Sequence, residues 1–312
     1  MKRFIQKCFL FGLLILLSIV GVLFWMAKYP DNGTLNSHEI NVKLSAERLA
    51  TIDTTKLIII GGSGCGFGLN SELIHNHFNI PVVNTGTHAS IGIVLQLKLY
   101  EQYYREGDII VIIPEYQQFS KKYGYGISDE TLYRIIYNHY REGFECLTFY
   151  QSVNTIKYIP KYFKNAYARR KGNSDIHSPY HKLSLNQYGD VTAWDNRKHK
   201  KYINSQIVEG NPSNEIITFL ADFIQRQSEK NINVLLFPPA YMDESYSNSK
   251  LFINELTNLL EIKRIPFLVS TERYKLDKSY FYDTSYHLTY EGAIHRTNML
   301  IHDIDSIVFL EN

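Results

Sequence analysis

The stretch that most constrains this chain is KLIIIGGSGCGFGLNSELI, residues 56–74. A β-branched apolar run, Leu57 to Ile60, stops at Gly61-Gly62-Ser63-Gly64, and Asn70 and Ser71 then offer caps for a helix starting near Glu72. A buried strand, a glycine-dense turn and a helix start belong at the carboxyl edge of an α/β sheet, where reactive groups gather. Glycines allow the tight turn and a close approach by substrate. Ser63 is the one side chain of those four residues able to do chemistry, and it reads as a nucleophile. Taken alone, the turn fits a tight βα connection with a capping serine equally well.

Spacing removes three rivals. A phosphate loop needs Gly-Lys-Ser/Thr, and the turn has no lysine. The dinucleotide pattern fails in every register, because Phe67, Leu69 or Ser71 stands where its last glycine belongs. The α/β-hydrolase elbow would need glycine where Cys65 stands.

The rhythm around this turn predicts strands over residues 56–61, 80–84, 108–114, 233–238 and 266–270. Helices are expected over 71–78, 89–104, 214–229, 248–263 and 290–303. Continuously apolar runs such as DIIVIIP suit strands buried on both faces of a parallel sheet. Right-handed crossovers then give a flavodoxin-like three-layer α/β sandwich, a five-stranded parallel sheet of order 2-1-3-4-5. Between about residues 117 and 211 the rhythm is lost. This stretch reads as an insertion on the carboxyl edge of the domain spanning 56–312, with a basic segment at 157–171 followed by a Tyr-, Asn- and His-rich loop.

The amino terminus speaks to location. Lys2, Arg3 and Lys7 precede an uncharged run from Phe9 to Ala27. In a helix that run spans roughly 28 Å, close to the ~30 Å hydrocarbon core of a bilayer. Positive residues before it favour a cytoplasmic N-terminus, and no small-residue cleavage site follows. Residues 1–30 are therefore expected to be an uncleaved signal anchor of a single-pass membrane protein. Residues 31–55 form a polar stalk on this reading, and the remainder lies on the extracytoplasmic side. With a net charge of +2 over 312 residues there is no electrostatic footprint for nucleic acid. The 24 tyrosines suit stacking surfaces for sugars. Cys8 sits in the anchor, and Cys65 and Cys146 read as free thiols rather than a bridge.

A second chemical cluster stands before the final helix, in SYFYDTSYHLTYEGAIHRT. Thr289 caps that helix, with Glu291 in its first turn, and so fixes a loop carrying Asp283 and His287 at the same sheet edge as Ser63. A serine nucleophile needs a base, and the base needs a group to hold its tautomer. Ser63, His287 and Asp283 supply those roles as a catalytic set. Separately, His287 reads as a helix-entry residue and Asp283 as a loop cap. His75 and His77 fall on different faces of a helix, and Pro179 breaks any helix holding His177 and His181, so no metal site is expected.

The serine turn after the first strand, Asn84-Thr85-Gly86 after the second, and the Asp–His block before the last helix together resemble the SGNH/GDSL hydrolase superfamily. The resemblance covers about residues 56–116 and 214–303. It implies a serine-dependent ester hydrolase or O-acyltransferase without cofactor, whose oxyanion is held by the backbone N–H groups of Ser63 and Gly86. Two positions depart from the pattern. Three residues separate Asp283 from His287 where the family has two, and Glu115-Tyr116-Gln117 replaces the third-block asparagine. Tyr116 or Gln117 could donate to the oxyanion in its stead, whereas Glu115, entering the same cleft, opposes one when ionised. The anchored layout is similar to family members that modify envelope polysaccharides, which implies a carbohydrate or acylated-glycan substrate. The competing expectation is a non-catalytic glycan-binding or assembly subunit on the same fold.

Overall fold

Strand β1, Leu57–Gly61, is buried along its whole length. It pairs in parallel with β2, Val82–Asn84, on one side and with β3, Ile109–Ile113, on the other. Strand β4, Asn233–Leu236, joins β3, giving a four-stranded parallel sheet of order β2-β1-β3-β4. The computed structural model describes residues 1–28, 32–169, 175–193, 198–203 and 205–309. The longer helices in chain order are α1 (Lys2–Lys28), α2 (Asn41–Thr51), α3 (Ser71–Phe78), α4 (Ile93–Leu99), α5 (Thr131–His139), α6 (Phe149–Ile156), α7 (Ile159–Arg169), α8 (Asn214–Ser228), α9 (Lys250–Ile262) and α10 (Tyr290–Ile304).

Side-chain alternation sorts the strands onto two cores. Ile58, Ile60, Ile110 and Ile112 face α2, α4, α5, α8 and α9, whereas Leu57, Ile59, Ile109 and Val111 face α3 and α10. Burial on both faces explains why these strands are continuously apolar instead of alternating.

Several expectations are corrected. Residues 266–270 are not a strand: Leu268 donates one backbone hydrogen bond to Leu236 O, at 3.0 Å, and the ladder goes no further. The segment is held between the end of α9, where Arg264 has φ +59, and a turn capped by the Ser270 hydroxyl. A two-residue parallel pair, β5 (Tyr241–Met242) with β6 (Lys275–Leu276), lies apart from the main sheet. The helix expected over 89–104 is broken at Gly92, whose φ of +83 interrupts it ahead of α4.

The expected stalk is not one, since Thr34, Asn41 and Ser45 are buried and Val42, Ala46 and Leu49 join the core on one face of α2. That i, i+4, i+7 spacing sits within an otherwise polar stretch, which hid it. Within the expected insertion, Leu132, Ile135 and Ile136 of α5 enter the same core as the sheet. Arg170 and Lys171 of the basic segment lie outside the described residues.

Residues 2–22 of helix α1 are exposed, and their most apolar 18-residue window has a mean hydropathy of 2.2, so by length and composition this helix can cross a membrane.

Lys56 and Asp108 stand one residue before β1 and β3, fully buried, with Lys56 Nζ 2.7 Å from Asp108 Oδ2. Asp108 also accepts the N–H groups of Lys56 and Arg105, at 3.2 and 2.8 Å, and so locks the Leu57–Ile109 register. Removing one partner strands a buried charge. Asp108→Ala is expected to destabilise the chain by about 3–5 kcal/mol in urea unfolding, and a Lys56→Met/Asp108→Leu double variant by clearly less. A double variant as weak as the single would show that the ion pair itself is not what is lost.

Candidate active site

Ser63 opens a single helical turn, Ser63–Gly66, at the end of β1. The two glycines before it are required by close approach. A Cβ on Gly61 would stand 2.3 Å from Ile113 O, and one on Gly62 would stand 2.4 Å from Glu115 Oε1. The space a side chain would fill is thus taken by β3 and by the residue that follows it.

His287 and Asp283 come from the loop ahead of α10. Thr284 Oγ1 accepts the His287 N–H at 3.1 Å, Tyr282 N–H donates to His287 O at 2.8 Å, and Thr289 Oγ1 caps α10 through Gly292 N–H. Phe67 stacks on the His287 ring at 4.2 Å and fixes its plane. Held in this way, His287 Nε2 lies 2.8 Å from Ser63 Oγ, and Nδ1 lies 3.0 Å from Asp283 Oδ1. The spacing of four between Asp283 and His287 does not prevent them from meeting.

The loop region of residues 175–193 adds a group with no sequence signal, Tyr180. Its hydroxyl donates to Asp283 Oδ2 at 2.6 Å and lies 3.0 Å from His287 Nδ1. A Tyr180 proton committed to Asp283 leaves Nδ1–H as the donor of the ring, toward Asp283 Oδ1 and the phenol oxygen. Nε2 is then the acceptor facing Ser63, the tautomer that a general base needs. Burial acts to raise the Asp283 carboxyl, but the His287 and Tyr180 hydrogen bonds and the Lys200 ammonium outweigh it and hold it below the ordinary range.

Glu115 reaches the serine from the other side. Its Oε1 lies 3.2 Å from Ser63 Oγ and accepts Gly64 N–H at 3.0 Å, and its Oε2 accepts Gln117 Nε2 at 3.0 Å. Burial pushes this carboxyl above its usual range, against the lowering influence of Gly64 N–H, His287 and Ser63. Protonated, it donates toward Ser63 Oγ, and a chain of hydrogen bonds runs Glu115–Ser63–His287–Asp283.

The other expected oxyanion groups are placed differently. Gly86 N–H is taken by Asn84 Oδ1 at 2.9 Å. Asn84 Nδ2 in turn holds Cys65 O at 3.0 Å and Asp190 Oδ1 at 2.8 Å, so this block braces the serine turn rather than facing Ser63. Tyr116 is fully buried against Tyr241, away from the cleft. Gln117 does line the cavity, through its contact with Glu115. Cys65 and Cys146 are free thiols, and Cys65 Sγ is buried 3.6 Å from Ile113 O. His75 serves Ile80 O at 2.7 Å and His77 pairs with Asp305 at 2.7 Å, so the two rings diverge.

The triad opens into a cavity of about 400 Å³ whose lining also includes His38, Glu39 and His88, with the His38 ring against Phe67 and Tyr180. Glu39 is neutralised by a bidentate Arg134, and burial pushes His38 down to about 4, so that ring is neutral. No sequence signal marks these residues, because 37–39 look like part of a polar linker. No protein-family model matches the chain, and no curated protein matches it.

Because Glu115 is raised in the folded state, its contribution to stability is complete at acid pH and is lost as pH rises through the folded value. Glu115→Gln keeps an acceptor for Gly64 N–H but cannot ionise. It is expected to match wild type in urea unfolding at pH 5 and to exceed it at pH 8. Parallel pH profiles for the two proteins would mean that the carboxyl ionises there without penalty.

Proposed function

We propose that this chain is a membrane-anchored serine acyl hydrolase or O-acyltransferase of the SGNH type, acting on ester-linked acyl groups of an envelope glycan. The observation that carries the reading is the hydrogen-bonded sequence Ser63–His287–Asp283 at the carboxyl edge of a parallel sheet. The parallel order β2-β1-β3-β4, with helices on both faces, supports a flavodoxin-like layering. Lys2, Arg3 and Lys7, in the first turns of α1 and ahead of its apolar run, favour an extracytoplasmic catalytic domain.

In the proposed mechanism Ser63 Oγ attacks the ester carbonyl while His287 Nε2 takes its proton. Asp283, steadied by Tyr180, holds the imidazolium. Protonated Glu115, whose Oε1 accepts Gly64 N–H, is the donor that meets the new oxyanion. His287 returns its proton to the leaving alcohol, and an acyl group remains on Ser63. Water or a sugar hydroxyl, deprotonated by His287, then releases it. Hydrolysis and transfer share every group up to that last step.

A second reading, a glycan-binding or assembly subunit without catalysis, is favoured by two observations. Gly86 N–H is engaged with Asn84, and a carboxyl group stands where backbone donors would meet the oxyanion.

The two readings separate on p-nitrophenyl acetate with the full chain in detergent. Wild type is expected to release nitrophenol, and Ser63→Ala to lose roughly four orders of magnitude or more in kcat. Equal rates in the two proteins would put the binding reading first.

Tyr180→Phe removes one charge-assisted hydrogen bond to Asp283, and kcat on the same ester should fall by roughly tenfold with KM little changed. Without that donor the Asp283 carboxylate holds the His287 imidazolium more strongly, so the acid limb of the pH–rate profile, which follows protonation of the base, should move to higher pH. An unmoved limb would leave Tyr180 as packing alone.

A further inference from the structure

Helix α6 is amphipathic in the wrong sense. Its polar Gln151 and Thr155 are buried, and Gln151 Nε2 donates to Tyr125 O at 2.9 Å. Its apolar Phe149, Val153 and Ile156 are 86%, 50% and 63% exposed. These three stand at i, i+4 and i+7, so they form one stripe. A contiguous exposed apolar face marks an interaction surface.

Two further observations say what covers it. Residues 147–169, spanning α6 and α7, carry Lys157, Lys161, Lys164 and Arg169 and no acidic residue. The first three lysines are exposed, with Lys161 3.8 Å from Glu130 and the other two in no ion pair among the described residues. Second, α7 packs against the short turn Asn32–Leu35, which leads in from α1. Five residues separate Lys28, the end of α1, from buried Thr34, and a chain of that length reaches at most about 20 Å. The apolar and basic face therefore sits beside the point where the folded part is tied to the apolar helix.

From this we propose that the face of α6 and α7 rests on an anionic bilayer, with Phe149, Val153 and Ile156 entering the headgroup boundary and the lysines meeting lipid phosphates. Apolar insertion combined with the attraction of lysines to lipid phosphates is how interfacial helices bind. The inference rests on α1 spanning the membrane and is independent of the catalytic reading.

The test uses the full chain in nanodiscs of anionic or neutral lipid, with Cys8 and Cys146 changed to serine. A bimane label is placed through Val153→Cys or, as a reference, through Leu251→Cys on α9, a site that is 88% exposed. In anionic nanodiscs the Val153 label should be quenched several-fold less by iodide than the Leu251 label, and it should be quenched by headgroup spin-labelled lipid. Neutral lipid, or Lys157→Glu with Lys161→Glu and Lys164→Glu, should open it to iodide. Equal iodide quenching at the two positions in anionic nanodiscs would overturn the proposal. Shielding from iodide without lipid quenching would also overturn it, in favour of a protein partner or a second copy. A chain that fails to enter nanodiscs at all would refute the spanning role of α1 and the docking with it.

Discussion

The pairing of Gly61 with Ile113 is the contact on which the rest of the site depends. Two residues beyond each partner stand Ser63 and Glu115, and parallel strands ending in register bring them together at one edge. Their 3.2 Å approach follows from that register, since a shift of one residue would turn either side chain to the opposite face. The register is set at the far end by Lys56 and Asp108 and admitted at the near end by the missing Cβ of Gly61. Positions at the two ends of the same strands are thus coupled mechanically through a short, stiff ladder.

Around that ladder the site is drawn together by buried polar side chains rather than by more sheet. Asp190 accepts from Ser71 N–H and Oγ at 2.8 and 2.6 Å, from Asn84 at 2.8 Å and from Asn186 at 3.1 Å. Asn41 donates to Asn84 O at 3.0 Å and Gly86 O at 3.1 Å. Four distant parts of the chain therefore meet in one network behind the serine turn. Such networks specify a single arrangement because each member left unpaired carries a desolvation penalty. The same logic holds Tyr180 on Asp283, which joins the 175–193 loop to the loop before α10.

What the sequence made legible follows from how each feature is encoded. The central strands were plain, because burial on both faces leaves an unbroken apolar run, as in Ile109–Ile113. Ser63, His287 and Asp283 were found because each sits at an element boundary marked by glycines or a cap, and the structure brings the three within hydrogen-bond reach. Asp190, Tyr180 and His38 had no such marker: Tyr180 meets Asp283 from 103 residues away and His287 from 107, Asp190 meets Ser71 from 119, and the His38 ring packs on Phe67 and Tyr180. Residues 266–270 carry strand composition, yet local capping at both ends overrode it. Gly86 was misread because its sequence position is right while its N–H is spent on Asn84.

Cys65 lies two residues past the proposed nucleophile, and burial pushes its thiol up to about 12. At that value almost no thiolate exists at neutral pH, and thiolate is the form that oxidants, metals and disulfides capture. The sulfur therefore behaves as a small hydrocarbon wedged under the turn, 3.6 Å from Ile113 O. A serine site built on such a wedge is indifferent to the redox poise of its surroundings. The fold of the turn therefore needs no reductant to maintain it.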